Sequence, residues 1–169
     1  MQVRKANIAD AKRIAQIHVE TWRAAYRGQM PDAILNALDV NRRETFWNSR
    51  LATQPHGVSV AEINQEVVGF CDLIPSRDTD SNSKGIGEIV AIYVHPEFWR
   101  IGAGNALCRH SLKEARLQKY AAVTLWVLSS NIAARNFYEA MGFCLDGATK
   151  VDRSFQNYEL HEIRYRISV

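Results

Sequence analysis

The sequence predicts an α+β fold: a mixed, mostly antiparallel sheet with at least one βαβ crossover. Three observations carry this. Short alternating or apolar segments bounded by turn residues recur along the 169-residue chain. Helical spacings fall between those segments instead of collecting at one end. Finally, an apolar strand at 88–94, a helix running to about Lys119 and a strand at 122–128 follow one another as a crossover unit requires.

Taken in order, "QVRKA" alternates and predicts a first strand. Asn7 then stands as a cap with Asp10 near the first amides, and Ala11, Ile14, Ala15, His18 and Trp22 fall at helical spacing. "RGQMPDAILNAL" predicts a turn and a second helix, with Pro31 and Asp32 at its start. "GVSVAEI" and "VVGFCDL" flank "NQE" as an antiparallel hairpin. "SRDTDSNSKGIG" reads as a flexible connector whose Asp78, Asp80 and Asn82 imitate the opening of a calcium loop. Ser83 replaces the sharp-turn glycine of such a loop and Ile89 its bidentate glutamate, so no metal is expected. "GEIVAIYV" is apolar on both faces, as a central strand is. After the crossover, Asn131 to Met141 predicts a helix, and "LHEIRYRIS" a last strand alternating Ile163, Tyr165 and Ile167 with charged residues.

The length supports one buried core, so residues 1–169 are expected to form a single domain. Apolar and charged fractions of 47% and 23% are those of a globular protein. A net charge of +3 suits an anionic ligand, but no block of lysine or arginine marks a nucleic-acid partner. No apolar run reaches signal-peptide or membrane-span length, and a cytoplasmic setting without membrane attachment is the expectation. Cys71, Cys108 and Cys144 are widely spaced, odd in number and set in apolar segments, which predicts reduced packing thiols.

"EFWRIGAGNAL" places two glycines where a helix begins, although glycine costs roughly 1 kcal/mol relative to alanine inside a helix. From Gly104 onward, Leu107, Cys108, Ser111, Leu112 and Ala115 form one face. The first-turn amides of that helix have no acceptors within it. Glycines there open those amides to a bulky anion, with Arg100 adding charge; an isolated GxG is more simply read as a tight strand-to-helix turn. A dinucleotide fingerprint would need a third glycine at Leu107, and a Walker loop would need Gly-Lys-Ser/Thr.

In context, "GEIVAIYVHP", "FWRIGAGNAL", "VTLWV" and "NIAARNFYEAMGF" together resemble the GCN5-related N-acetyltransferase (GNAT) superfamily. Nearly the whole chain takes part, because "VRKANIADAKRIAQIHVETW" also looks like the family's first strand and helix. The resemblance implies a three-layer α/β/α fold with splayed central parallel strands. It implies that Arg100, Ile101, Gly102, Ala103, Gly104 and Asn105 hold the pyrophosphate of acetyl-CoA, and that Asn131, Ala134 and Tyr138 also contact this co-substrate. Ile92, Tyr93 and Val94 map to a strand bulge whose amides face the thioester and pantetheine. Trp99 stands where the family pattern has Arg or Gln, with Arg100 supplying charge from the next position.

Acetyl transfer to an amine needs a route for the ammonium proton, polarisation of the thioester carbonyl and an acid for the leaving thiolate. Glu88 opens the apolar strand at the position of a family general base; burial is expected to raise its pKa, while a solvated strand-end carboxylate is the alternative. Tyr138 lies on an apolar helix stripe with Ala134, Phe137 and Met141, and the resemblance makes it the general acid. Asn131 serves as a helix cap as well. Trp22, Tyr26 and Trp126 are candidate acceptor-binding residues, offering flat apolar and cation–π faces, with core packing as the alternative. The resulting expectation is an acetyl-CoA-dependent N-acetyltransferase acting on a small-molecule primary amine, polyamine-like or another amino compound, by direct attack and without metal. Acetylation of a protein lysine or α-amine is the alternative, and an acyl-CoA sensor without turnover the second. The family also suggests a homodimer.

Overall fold

The computed structural model describes residues 1–81, 85–155 and 158–169. After β1 (Gln2–Lys5), a capping box forms as the Asn7–Asp10 spacing predicts. Asn7 Oδ1 accepts the Ala9 N–H at 2.9 Å, and the Asp10 carboxylate accepts the Asn7 N–H at 2.8 Å. Arg4 grips that carboxylate with hydrogen bonds of 2.8 and 3.0 Å. One 3-10 turn then leads into α1 (Ala11–Ala25), and α2 (Asp32–Asn36) follows Pro31.

No periodicity in the sequence predicts the next helix, α3 (Val40–Thr53). Asp39 caps it by accepting the Arg42 N–H at 3.1 Å. It buries only Trp47 and Leu51, a stripe too thin to show as a period in the sequence. The expected hairpin is β2 (Val58–Ile63) and β3 (Glu66–Pro75), antiparallel. Its turn residues Asn64 and Gln65 both take left-handed φ, 49° and 68°, as a two-residue turn between twisted strands demands.

β4 (Ile86–Val94), α4 (Ala103–Leu117) and β5 (Ala122–Leu128) form the crossover. α5 (Ile132–Ala140), β6 (Cys144–Asp152) and β7 (Leu160–Ser168) complete the described elements. The sheet order is β1-β2-β3-β4-β5-β7-β6. β4 and β5 pair in parallel, with Ile86–Glu88 opposite Ala122–Thr124, and both strands run on beyond this short register. The α+β class with a mostly antiparallel sheet and one parallel pair is what the sequence predicts.

Two compact units divide the chain: residues 1–73 with 91–111, and residues 74–90 with 112–169. In the first, Ile14, Ala15 and Ile17 of α1 meet Trp47 and Leu51 of α3 and Val58, Val60 and Phe70 of the hairpin. Each such apolar side chain contributes roughly 1.5–3 kcal/mol by leaving water. Gly69 is needed for close strand approach, because a Cβ there would lie 2.9 Å from the Tyr93 carbonyl oxygen.

In the second unit, Leu125 and Val127 of β5, Tyr138 of α5, Phe143 and Tyr165 of β7 are buried. β6 is exposed along most of its length at the sheet edge, with a register shift between Leu145 and Thr149 and Gly147 at φ 88°. Cys144 lies on this strand and is exposed, which corrects its expected packing role; Cys71 and Cys108 are buried as predicted. Arg164 departs from simple alternation too: it is buried beside Tyr165, because three aspartates surround its guanidinium.

Candidate functional site

In the first unit, the chain leaves β4 through His95 and a 3-10 turn, Pro96–Phe98. Trp99 then donates its indole N–H to the Val94 carbonyl at 2.6 Å, tying the loop to the strand end. Thr21 of α1 donates to the same carbonyl at 3.0 Å. Arg100 follows at φ 65° and Gly102 at φ 90°, so the loop reverses through two left-handed residues before α4 begins at Ala103. For arginine this region is sterically costly; for glycine it is free. A Cβ at Gly102 would meet nothing closer than the Met1 Cε at 3.9 Å, so backbone angle, and not crowding, selects glycine here. The Ala106 N–H donates to the Gly102 carbonyl at 3.0 Å, whereas the amides before it belong to the first turn, which has no internal acceptors. Arg100, Ile101, Gly102 and Asn105 are exposed, Gly104 is half-buried and Ala103 is buried. The arrangement can cradle an anion with backbone N–H groups and one guanidinium. Ile92, Tyr93 and Val94 are half-buried at the end of β4.

Trp22 and Tyr26 also lie in this unit, their rings edge to face at 5.2 Å. Arg43 of α3 stands over the Trp22 ring, 5.9 Å from its centroid. His18, one turn before Trp22, is buried, and its Nδ1 accepts the Trp47 indole N–H at 3.3 Å. Burial, then the nearby Arg43 charge, pushes its pKa down to about 3, so the ring is neutral.

In the second unit, Glu88 is only 2% exposed and is held by Arg77. The Arg77 side chain donates to its two carboxylate oxygens at 2.6 and 3.2 Å, and the Arg77 backbone N–H donates at 3.1 Å. Burial pushes the carboxyl upward, as the sequence leads one to expect. Those hydrogen bonds and the positive charges of Arg77 and Lys150 together outweigh it, and the pKa ends below the ordinary value. The expected upward shift is therefore corrected, by an arginine eleven positions away whose approach no local pattern announces.

Asn131 caps α5 by accepting the Ala134 N–H at 3.1 Å and is 7% exposed. Tyr138 lies on the buried face of α5, with ring centroids 5.3 Å from Phe137, 6.0 Å from Phe143 and 6.2 Å from Tyr165. Behind it Tyr165 donates to Glu139 at 2.5 Å and accepts from Arg135 at 3.3 Å, a polar lock on the helix. Trp126 donates to both Asp78 carboxylate oxygens at 3.2 Å, with Lys150 Nζ 4.2 Å and Arg164 Cζ 5.5 Å from its ring centroid. The chain's own cations thus sit where a ligand ammonium would stack. Asp78 and Asp80 are bound to Arg164, so the connector is tethered at these positions; Asn82 and Ser83 of the calcium-loop comparison lie outside the described residues. Among the described residues no group of three or more His, Cys, Asp or Glu side chains could hold a metal ion, and no helix is long and apolar enough to cross a membrane.

The sequence model of the acetyltransferase (GNAT) family matches residues 12–143. The chain belongs to the GNAT family. It is an N-acetyltransferase by this membership, and its relatives agree. YuaI of Bacillus subtilis, described as an uncharacterized N-acetyltransferase, is 35% identical over 140 residues, 82% of this chain and 77% of its own length. An N-alpha-acetyltransferase of Sulfurisphaera tokodaii is 31% identical over 144 residues, 80% of this chain and 84% of its own. The fold of the PaiA N-acetyltransferase from Thermoplasma acidophilum, solved with coenzyme A, superposes with a TM-score of 0.74 at 18% identity, covering 99% of this chain and 98% of that one. Against the GNAT pattern, Trp99 is the departure, and its bond to Val94 gives the position an anchoring task.

Proposed function

We propose that the chain acts as one domain that transfers an acetyl group from acetyl-CoA to the primary amine of a small molecule, by direct attack in a ternary complex. The observation that carries this reading is the loop before α4, with Arg100 and Gly102 in left-handed conformations and the first-turn amides beyond them. Together with Ile101, Ala103, Gly104 and Asn105 these groups would bind the pyrophosphate, and the amides of Ile92, Tyr93 and Val94 the thioester and pantetheine. Asn131 and Ala134 would add contacts to the pantetheine arm. Acetyl-CoA supplies the acetyl group as a thioester.

The amine nitrogen attacks the thioester carbonyl carbon as the carbon–sulfur bond breaks. Tyr138 gives its phenolic proton to the departing sulfur. Glu88, ionised at neutral pH because Arg77 holds its pKa low, does not retain the ammonium proton. It orients a water that carries the proton away. Calorimetry is expected to show acetyl-CoA binding that Gly102→Ala weakens, since alanine resists φ 90°. Tyr138→Phe is expected to keep that binding while turnover falls roughly a hundredfold or more. Absence of acetyl-CoA binding refutes the reading, and equal turnover of Tyr138→Phe and parent removes the acid role. In Glu88→Gln the loss of rate is expected to ease as pH rises and the amine sheds its proton unaided; a uniform loss would remove Glu88 from the proton's route.

The second reading is acetylation of a protein α-amine, favoured by the Sulfurisphaera tokodaii relative. Comparison of free amines with peptides separates the two. Coenzyme binding without turnover on either set would leave the sensor reading.

A further inference from the structure

The wall formed by α1, α3 and the strands beside them contains hydrogen-bond donors, on His18 and Arg43, that no side chain among the described residues answers. His18 is enclosed by rings: Tyr93, Trp22, Phe70 and Trp47 have centroids 5.1, 5.6, 5.9 and 6.0 Å from its own. An indole N–H can only donate, so its bond from Trp47 leaves His18 Nδ1 without a proton and places the proton of the neutral ring on Nε2. That N–H is buried and has no partner among the described residues. Native structures seldom leave such a group unanswered.

The second donor is Arg43. Its guanidinium is half-buried over the Trp22 ring, and among the described residues it makes no ion pair. Several other arginines of this chain are answered by acids: Arg4 by Asp10 and Glu62, Arg50 by Asp72, Arg164 by three aspartates. A partly desolvated cation without an anion is less well solvated than one in water, and a guanidinium fork matches the two oxygens of a carboxylate. The same charge repels a second ammonium, which counts against a polyamine.

We infer that Arg43 and His18 select an acceptor whose amine is accompanied by a carboxylate, an amino acid with an apolar side chain. Arg43 takes the carboxylate bidentately, the His18 Nε2–H supplies a further donor to it, and the half-buried rings of Trp22, Tyr26 and Tyr93 receive the apolar side chain. This rests on the acetyltransferase reading and names the substrate class within it.

The test compares leucine, leucinamide and spermidine as acceptors, and measures leucine binding to the coenzyme A-loaded protein by tryptophan fluorescence. Leucine is expected to exceed leucinamide in kcat/KM by about tenfold or more, the usual weight of a charge-assisted hydrogen bond. Arg43→Gln should erase the preference by raising KM for leucine while kcat stays near the parent's; Arg43→Lys, keeping charge but not the fork, should restore part of it. Equal use of leucine and leucinamide, a preference for spermidine, or an unchanged preference in Arg43→Gln overturns the inference. If Arg43→Gln does not fold, Arg43→Lys decides by whether the preference narrows. Failure of the acetyltransferase reading shows elsewhere, as absent acetyl-CoA binding and no coenzyme release with any amine. Leucine binding, weakened or not by Arg43→Gln, then decides the carboxylate site alone, and no leucine binding overturns it.

Discussion

Two arginine environments in this molecule, one buried and one half-buried, differ in their partners. Around Arg164, every charge is answered: Asp78, Asp80 and Asp146 accept from its guanidinium at 3.0, 2.6 and 2.7 Å, and Trp126 lies against it. Around Arg43 and His18, among the described residues, the guanidinium has no ion pair and the His18 Nε2–H no acceptor. A closed network holds chain segments together, whereas open donors are a vacancy in the bonding that a ligand can complete. Burial of a charge alone does not tell the two apart; the partner count does.

That contrast is most severely tested at Arg164. Arg164→Leu leaves the water-accessible Asp78 and Asp146 without their counter-charge and removes their hydrogen bonds from a buried guanidinium, and urea unfolding is expected to show a loss of about 1–3 kcal/mol. A loss well under 1 kcal/mol would place the cluster with exposed pairs.

His18 gives the next effect. Its folded pKa, about 3, lies below the unfolded value near 6.5, so the unfolded chain takes up a proton that the native ring refuses. The stability this maintains is complete above about pH 6.5 and falls by up to roughly 1.4 kcal/mol per pH unit on the way down to the folded pKa. Thermal melts across that range should show a shallower acid limb for His18→Gln than for the parent.

Glu88→Gln, judged as a stability change, comes third. Loss of charged hydrogen bonds from Arg77 is expected to cost about 1–3 kcal/mol at neutral pH. Because the Glu88 pKa is depressed, the parent's advantage is present above the ordinary carboxylate value and disappears as pH falls through the folded one. An advantage that grew on acidification would reverse the assignment. The smallest effect is expected at Asn131→Ala, about 1 kcal/mol for the lost α5 cap, read in the same melts.

Much of the fold is legible where chemistry is local. Asn7 and Asp10 announce a capping box three residues apart, "NQE" between two apolar runs announces a hairpin that the structure closes at Asn64 and Gln65, and Gly102 takes a φ that glycine adopts at little cost. The α4 stripe of Leu107, Cys108, Ser111, Leu112 and Ala115 is buried as its spacing predicts. α3 escaped because a helix burying two side chains leaves almost no period, and β6 because an exposed edge strand needs no alternation. The consequence reached the site: α3 carries both Arg43 and Trp47, so the donors facing the aromatic wall could not be assembled from the sequence pattern.

The order of residues alone therefore determined the class of fold, the glycine loop before α4, the helix caps and the two motifs that mark the GNAT family. Only tertiary structure decided which charges are paired, Arg77 with Glu88 and Arg164 with Asp78 across 86 positions, and which, like Arg43 over a tryptophan face, make no ion pair among the described residues. Backbone angle and helical spacing depend on near neighbours along the chain. Protonation and charge pairing depend on distance and dielectric through space, which the chain acquires only when it folds.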